Sequence, residues 1–273
     1  MTTLYIDGNK VSTLYIDGKQ VQLEVKQYLT IEPLSSATPD ADKTSITLKN
    51  SASTSLTGTF EARLNDGAWT TVSWEDVSNG IDYNLVKACD ASKETISFGE
   101  KLQIRGLDKW NGKCSLKVTC DGGAKVSGKM ADSLTPEYAA STAANKLESF
   151  FKGSTGLKDA SGLDLGNIAI ATNACYARMF ASCTSLTKAP VLPATTLASN
   201  CYYFMFYSCT SLTQAPALPA TTLDYNCYYN MFYSCSKVTE LHYPASIQNN
   251  STFTEMSGTP WFGATNATVH YDL

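Results

Sequence analysis

The residue types in this chain that could support chemistry are nine cysteines and two histidines. Closely spaced thiolate and imidazole groups bind zinc, and cysteine pairs can form disulfides. No Cys-x-x-Cys pair occurs, and His242 and His270 lie 28 residues apart, outside metal-ligand spacing. We therefore predict no metal site and no cofactor. For the cysteines we expect free thiols that pack as small hydrophobic groups, with disulfides along the repeats of the chain as the alternative.

Six of the cysteines mark a repeat in the second half of the chain. The block Cys175–Cys183 returns as Cys201–Cys209 and again as Cys227–Cys235, with a spacing of 26 residues each time. A fixed period of this length is typical of a solenoid, in which each unit buries its apolar side against its neighbours. Solenoids present long surfaces and seldom form catalytic pockets. The repeat therefore favours a binding or structural protein over an enzyme.

Within one repeat, the apolar side chains follow a helical spacing. Cys201, Met205 and Cys209 lie at positions i, i+4 and i+8, and Phe206 widens the stripe. We predict a short helix here, capped by Asn200, with its apolar stripe facing the core.

Tyrosines form columns in the same blocks, and helical geometry cannot bury all of them beside Cys, Met and Phe. We predict that some face outward in rows, where their large amphipathic rings suit recognition of protein or sugar. The alternative is that stacked tyrosines only cover the seams between turns. The candidate binding residues are Tyr176, Tyr202, Tyr203, Tyr207, Tyr228, Tyr229 and Tyr233.

The composition excludes several classes of protein. The formal net charge is −4 and only 17% of residues are charged, so there is no basic stripe for nucleic acid. No apolar run approaches the roughly 20 residues that cross a bilayer, so we expect no membrane insertion. The first residues lack a basic start followed by an apolar stretch. We therefore expect no signal peptide and folding in the cytoplasm, unless a precursor segment precedes this sequence.

Residues 1–27 contain a second, shorter duplication. The motif Leu-Tyr-Ile-Asp-Gly occurs at residues 4–8 and 14–18, and Asp-Gly between β-favouring flanks predicts a two-residue hairpin turn. The hairpins either pack on the next domain or form an anchoring arm that adds strands to another subunit. The candidate attachment residues are Leu4, Tyr5, Ile6, Leu14, Tyr15 and Ile16.

Residues 28–130 predict a small Ig-like β-sandwich, because short alternating strands are separated by turn residues. The turns are predicted at residues 65–67 and 121–123, and Cys114 and Cys120 share one strand face as core residues. The predicted strands cover residues 45–48, 59–64, 69–72, 101–106, 114–120 and 124–126.

Residues 131–273 predict a repeat solenoid with terminal caps, which makes the whole chain mainly β with short helices. Thr135 before a proline predicts the start of a helix that runs into Leu147–Phe151. That segment aligns with the repeat as a degenerate first unit, with Ser154 in the place of Cys183. Residues 245–273 diverge from the repeat, as a terminal cap does.

The motif Met-Phe-x-x-Cys-x-x-Leu resembles the Ala-Phe-x-x-Cys-x-x-Leu core of BspA-type leucine-rich repeats, over roughly residues 145–245. The first two units carry an extra residue and an Ala-Pro-x-Leu-Pro-Ala-Thr-Thr-Leu variant, which is similar to repeats of Bacteroides and of crAss-like gut phages. There the repeats follow a small β-domain whose opening segment resembles residues 14–18 and 28–32. The tandem copy of the N-terminal motif departs from the single copy of that pattern.

The resemblance implies a non-enzymatic protein of a phage particle, such as a head fibre, a capsid decoration or a tail-associated adhesin. Such a protein would dock on other virion proteins through its N-terminal arm, form homo-oligomers and turn its tyrosine rows toward a host glycan or protein. The alternative is a bacterial surface adhesin or carbohydrate-binding leucine-rich-repeat protein, which needs an export route. A third class is an enzyme such as a glycosidase, but facing carboxylates cannot be read from this chain.

Overall fold

The computed structural model describes residues 28–35, 43–51, 57–108, 110, 112–166, 172–248 and 267–273, and the backbone alone of four strand segments within the first 22 residues. The fold is mainly β. Its strands are β1 Tyr5–Ile6, β2 Asn9–Lys10, β3 Thr13–Ile16, β4 Lys19–Gln22, β5 Leu29–Pro33, β6 Ser45–Asn50, β7 Thr59–Leu64, β8 Thr70–Ser73, β9 Asp82–Asn84, β10 Leu102–Arg105, β11 Cys114–Thr119, β12 Ala124–Lys129, β13 Leu157–Asp164, β14 Glu240–Tyr243 and β15 Thr268–Tyr271. The α-helices are α1 Leu85–Cys89, α2 Met130–Ser133 and α3 Pro136–Ala140, and two short 3₁₀ segments cover Trp74–Asp76 and Ala245–Ile247. In the described part of the chain, no helix has the length and hydrophobicity needed to span a bilayer.

Each copy of the N-terminal motif forms a hairpin. β1 pairs antiparallel with β2, and β3 pairs antiparallel with β4. Ile6 lies opposite Asn9, and Ile16 lies opposite Lys19, so two residues connect the strands in each case. The predicted pairing of the hairpin strands is confirmed, and the Asp-Gly residues predicted to form the turns lie outside the described residues.

The larger sheet has six strands in the order β13-β12-β5-β10-β7-β8. Neighbours in it pair antiparallel, except that β12 and β13 are parallel. β7 and β8 are joined by the turn predicted at residues 65–67, where Asn65 and Asp66 both adopt a positive φ. Because β13 comes from the second half of the chain, this sheet extends across the boundary predicted at residue 130.

The smaller sheet has three strands in the order β11-β6-β9, and it shares one hydrophobic core with the larger sheet. Alternate residues are buried, as at Ile46 and Leu48 in β6 and at Leu29 and Ile31 in β5. The turn predicted at residues 121–123 connects the two sheets, because β11 lies in the smaller sheet and β12 in the larger one.

The three cysteine blocks and the segment 145–154 form four stacked coils, and the predicted short helix is wrong. Coil 1 covers residues 145–154, coil 2 residues 174–183, coil 3 residues 200–209 and coil 4 residues 226–235. In each coil a residue with positive φ recurs at every fourth position, for example Asn200, Phe204 and Ser208 at 58°, 53° and 57°. A right-handed α-helix requires negative φ throughout, so these segments are runs of consecutive tight turns.

The backbone N–H groups of the coils form hydrogen bonds in two alternating ways. In coil 2, the N–H of Met179 donates to the carbonyl of Tyr176 at 3.1 Å, three residues back. The neighbouring N–H of Phe180 instead donates to the carbonyl of Met205 in coil 3, at 2.9 Å. The same alternation links coil 1 to coil 2 and coil 3 to coil 4. Coils 1, 2 and 3 thus each depend on the next coil for half of their donors, and these bonds hold coils 2, 3 and 4 at the 26-residue spacing of the sequence.

A column of aromatic rings joins the sheets to the coils. Within the coils, Phe151, Phe180, Phe206 and Phe232 stack at centroid separations of 5.5, 5.5 and 5.6 Å. The column continues through Phe150 into the core of the sheets, and its members there are Phe60, Trp74 and Trp110. The predicted degenerate first repeat is confirmed by this stacking, since Phe151 occupies the position of the later phenylalanines.

Coil 1 is attached to β11 by backbone and by one hydroxyl. The N–H of Leu116 donates to the carbonyl of Phe150 at 2.7 Å, and the N–H of Gly156 donates to that of Val118 at 2.9 Å. The Ser154 hydroxyl donates to the carbonyl of Leu116 at 2.9 Å and accepts from the N–H of Val118 at 3.1 Å. A hydroxyl can do both, so serine suits the one coil that meets a strand edge.

Helix α3 begins as predicted but does not reach the repeats. The Thr135 side chain accepts from the N–H of Tyr138 at 3.2 Å, and the helix ends at Ala140. The buried Lys146 ammonium then donates to the carbonyls of Ala139 and Ser141, at 3.0 and 2.5 Å. Desolvation lowers the pKa of Lys146. This contact holds the end of α3 against coil 1.

Replacing Ala174 by asparagine should stabilise the protein. Ala174 has a φ of 56°, whereas the equivalent residues of the other coils are asparagines, Asn145, Asn200 and Asn226. An alanine in the left-handed region costs about 1 kcal/mol that asparagine largely avoids. We expect Ala174→Asn to raise the free energy of unfolding by about 1 kcal/mol in denaturant titrations.

The matched control is Ala177→Gly, in the same coil but at a residue without positive φ. Glycine there should lower the free energy of unfolding by about 0.5–1 kcal/mol. A loss of stability in both variants would contradict the four-residue turn pattern.

Candidate functional site

In coils 3 and 4 the four-residue period sorts the side chains into two inward and two outward positions. In coil 3 the pairs Cys201–Tyr202 and Met205–Phe206 are buried, and the pair that follows each of them, Tyr203–Phe204 or Tyr207–Ser208, is half-buried. Because backbone hydrogen bonds hold successive coils in the same register, equivalent positions of the coils lie above one another. Columns of like side chains therefore run across the coils.

Three of the candidate tyrosines point inward, so their predicted outward position is wrong. Tyr176, Tyr202 and Tyr228 are each 1% exposed and stack at 5.9 Å between successive rings. Burial holds the pKa of all three phenols well above the ordinary range. The Tyr176 hydroxyl donates to the carbonyl of Leu165 at 2.8 Å. The prediction failed because the tight turns direct two adjacent residues inward, whereas a helix would direct only one of them inward.

The other four tyrosines form an outward surface in two rows. Tyr203 stacks on Tyr229 at 5.7 Å, and Tyr207 stacks on Tyr233 at 5.4 Å, with nearly parallel rings in both pairs. Tyr233 is 45% exposed and the other three are half-buried. These residues and Phe204 are the aromatic face. Coil 2 has alanines, Ala177 and Ala181, at the equivalent positions, so the aromatic face covers coils 3 and 4.

Two residues that the sequence reasoning missed complete the surface. Phe204 lies between the two rows, 4.4 Å from Tyr203 and 5.3 Å from Tyr207 between ring centroids. The Arg178 guanidinium lies 4.9 Å from the centroid of Tyr203 and pairs with Glu148 at 3.0 Å. In the sequence, Asn or Ser recurs at every fourth residue of the coils and marks the positions with positive φ. Phe204 and Arg178 occupy such positions, which is how the sequence could have indicated them.

The aromatic face offers contact area, phenol hydroxyls and one cation. Stacking covers much of each ring face, so the rings present their edges and hydroxyl groups to a ligand. Tyrosine loses little conformational entropy on binding, and the backbone bonds between coils hold the rows in place. The surface is suited to binding a protein or a glycan.

The repeat cysteines are buried free thiols, as expected. The S–H groups of Cys183, Cys209 and Cys235 donate to the carbonyl of the phenylalanine in the preceding coil, at 3.1, 3.1 and 2.9 Å. Desolvation raises the pKa of Cys183 and Cys235 to about 12 and that of Cys175 to about 11. Such thiols are poor nucleophiles at neutral pH, so they contribute to packing rather than to chemistry.

The candidate attachment residues can be placed only in part. Leu4 lies outside the described residues. Tyr5 and Ile6 lie in β1, and β3 contains the other three, Leu14, Tyr15 and Ile16. The backbone pairing of these strands is described and their side chains are not.

Strand pairing brings the two histidines together, against the argument from their spacing. β14 and β15 are parallel, and His242 lies directly opposite His270. Their rings stack at 4.8 Å with an angle of 13° between planes. Glu240 lies beside them, and the ligand atoms of the three residues are within 4.8 Å of one another.

Comparisons with known proteins leave the family open. No family model matches this chain, and searches of curated proteins and of solved structures find no significant match. The site is therefore interpreted from its own geometry and from the motif resemblance.

The buried thiols should make the protein unstable in alkali. An unfolded thiol ionises near pH 8.5, whereas Cys183 keeps its proton to about pH 12, so the unfolded state binds fewer protons between these values. The free energy of unfolding should fall by about 1.4 kcal/mol per pH unit for each such thiol above pH 9. Denaturant titrations from pH 7 to 11 measure this slope.

Cys183→Ser is the matched variant, because coil 1 already has serine at this position. Its slope above pH 9 should be shallower by about 1.4 kcal/mol per pH unit. Stability that stays constant up to pH 11 would show that the thiols are not buried as described.

Proposed function

We propose that this chain is a non-enzymatic structural protein of a phage particle, such as a head fibre, a capsid decoration or a tail-associated adhesin. Residues 28–130 would be an Ig-like β-sandwich, and the four coils would be turns of a BspA-type leucine-rich-repeat solenoid. The N-terminal region docks on the particle, and the aromatic face contacts the host. The phage assignment is supported by the motif resemblance, and the contact role by the geometry of the aromatic face.

The observation that carries the contact role is backbone strain at the aromatic face. Phe204 and Arg178 have φ values of 53° and 55°, a region that bulky residues rarely adopt. Coil 4 has Asn230 at the equivalent position, where the strain is small. Asparagine would fit the position with less strain, so the presence of Phe204 and Arg178 suggests that their side chains have a function. Backbone strain of this kind is frequent at binding sites.

The polar groups of the aromatic face favour binding over catalysis. Its hydroxyls belong to tyrosines, and its cation, Arg178, is paired with Glu148. Acid–base catalysis needs a nucleophile within hydrogen-bonding reach of a base. The described residues of the aromatic face supply no such pair. A rigid surface of this kind fits a protein or glycan partner.

The two N-terminal hairpins are suited to attachment. Each hairpin is only two strands wide, and such a hairpin is marginally stable alone in water. A strand of such a hairpin can add to a sheet of another subunit through backbone hydrogen bonds. We propose capsid or tail subunits as that partner, and oligomers of this chain on the particle.

The alternative is a bacterial surface adhesin or carbohydrate-binding leucine-rich-repeat protein. The same aromatic face supports it, because its tyrosine hydroxyl groups can donate hydrogen bonds to a sugar and accept them from it. The two functions differ in where the protein is found.

Immunogold labelling and cryo-EM of particles from the encoding phage or bacterium test the assignment. We expect label on purified particles, with density for residues 1–27 between capsid or tail subunits and the coils projecting outward. Detection on the bacterial envelope and absence from particles would overturn the phage proposal and favour the adhesin.

Phe204→Asn should separate binding from stability. The variant removes the central ring of the aromatic face, which loses packing, but asparagine tolerates the positive φ better than phenylalanine does. The free energy of unfolding should therefore change by no more than about 1 kcal/mol. Binding of the purified protein to host cells, measured by flow cytometry, should weaken about tenfold or more.

Tyr202→Phe is the control for this experiment. Its hydroxyl is buried and has no hydrogen-bond partner among the described residues, so its removal should leave binding unchanged and stability equal or higher. Equal binding by Phe204→Asn and the wild type would exclude the aromatic face as the contact surface.

A further inference from the structure

The paired strands β14 and β15 bring together a set of side chains that the aromatic face does not involve. The His242 and His270 rings stack in register, and Glu240 precedes His242 on the same strand face. All three are at least partly accessible to solvent. Two imidazoles and one carboxylate form a common ligand set for zinc and related divalent transition metals.

Asp272 orients the His242 imidazole so that its Nε2 atom can bind a metal. The Nδ1 of His242 lies 2.9 and 3.1 Å from the two carboxylate oxygens of Asp272. An ionised carboxylate only accepts hydrogen bonds, so the proton of the neutral imidazole resides on Nδ1. The lone pair is then on Nε2, which faces Glu240 with 3.9 Å between Nε2 and the Glu240 Oε2 atom.

We propose that Glu240, His242 and His270 bind one divalent transition metal ion, with Zn²⁺ as the best match to the donors. Asp272 acts through His242 as the outer carboxylate of a carboxylate–histidine–metal triad. Zinc bonds of about 2.0–2.2 Å require the three ligand atoms to approach one another more closely than their present limit of 4.8 Å. The side chains can rotate to do so, because 65% of Glu240 and 39% of His242 is exposed.

The bound ion would fasten the last strand of the chain. Glu240 and His242 belong to β14, and His270 belongs to β15, so the metal crosslinks two segments whose nearest ends, Tyr243 and Thr268, are 25 residues apart. Such a crosslink limits the opening of the terminal strand, as a disulfide does. The site therefore stabilises the end of the coil stack without contributing to catalysis.

Calorimetric titration of the full chain, without an affinity tag, with ZnCl₂ tests the proposal. We expect one site per chain and a higher Tm in the presence of zinc. His270→Ala and Glu240→Gln should abolish that site or weaken it strongly. Asp272→Asn should weaken it by about 10–100-fold, because only the orientation of His242 is lost.

Cys120→Ser is the matched control, because Cys120 is a partly exposed thiol that could bind zinc instead. Full binding by Cys120→Ser supports the proposal. No zinc binding by the wild type, or wild-type affinity in His270→Ala and Glu240→Gln, would overturn it. In EDTA the Tm of Glu240→Gln should equal that of the wild type, since the Glu240 side chain is 65% exposed.

Discussion

The architecture of the second half depends on one backbone constraint, the residue with positive φ at every fourth position of each coil. It closes a tight turn, so one N–H bonds within the coil and the next bonds to the coil below. Residues such as Met179 and Phe180 show the two cases side by side. A single coil would leave half of these donors exposed or unpaired, so the coils are stable only as a stack. The equal register of all four coils, and with it every side-chain column, follows from this dependence.

The first coil of the stack packs against the first half of the chain. β11 accepts coil 1 through backbone bonds, and Ser154 replaces cysteine where a coil meets a strand instead of another coil. Gly156 permits the approach, because a Cβ there would lie 2.2 Å from the backbone nitrogen of Cys120. The aromatic column then passes without interruption from Trp74 through Phe151 into the coils. The two halves therefore share one core and not merely a linker.

In coils 3 and 4 the four-residue period buries one pair of residues and exposes the next, so residues that stabilise the stack alternate with residues that can contact a partner. Tyr202 and Phe206 fill the interior, whereas Tyr203 and Tyr207 form rows on the surface. Coil 2 has buried alanines, Ala177 and Ala181, in place of these tyrosines, so the stack does not require aromatic rings at the two positions. Such a division suits a protein whose scaffold is constant and whose contact surface is adapted to a partner, which fits the proposed role on a phage particle.

The sequence by itself determined the repeat, its register, the degenerate first unit, the N-terminal hairpins and most strands, because these depend on local pattern and turn chemistry. It could not determine the turn type of the coils. Cys201, Met205 and Cys209 span only about 80° on an α-helix, so their spacing fits a helix as well as a four-residue turn. Only the tertiary structure decided which tyrosines face outward, since this depends on cross-coil hydrogen bonds. It alone also placed His242 opposite His270, because parallel pairing joins residues that are distant along the chain.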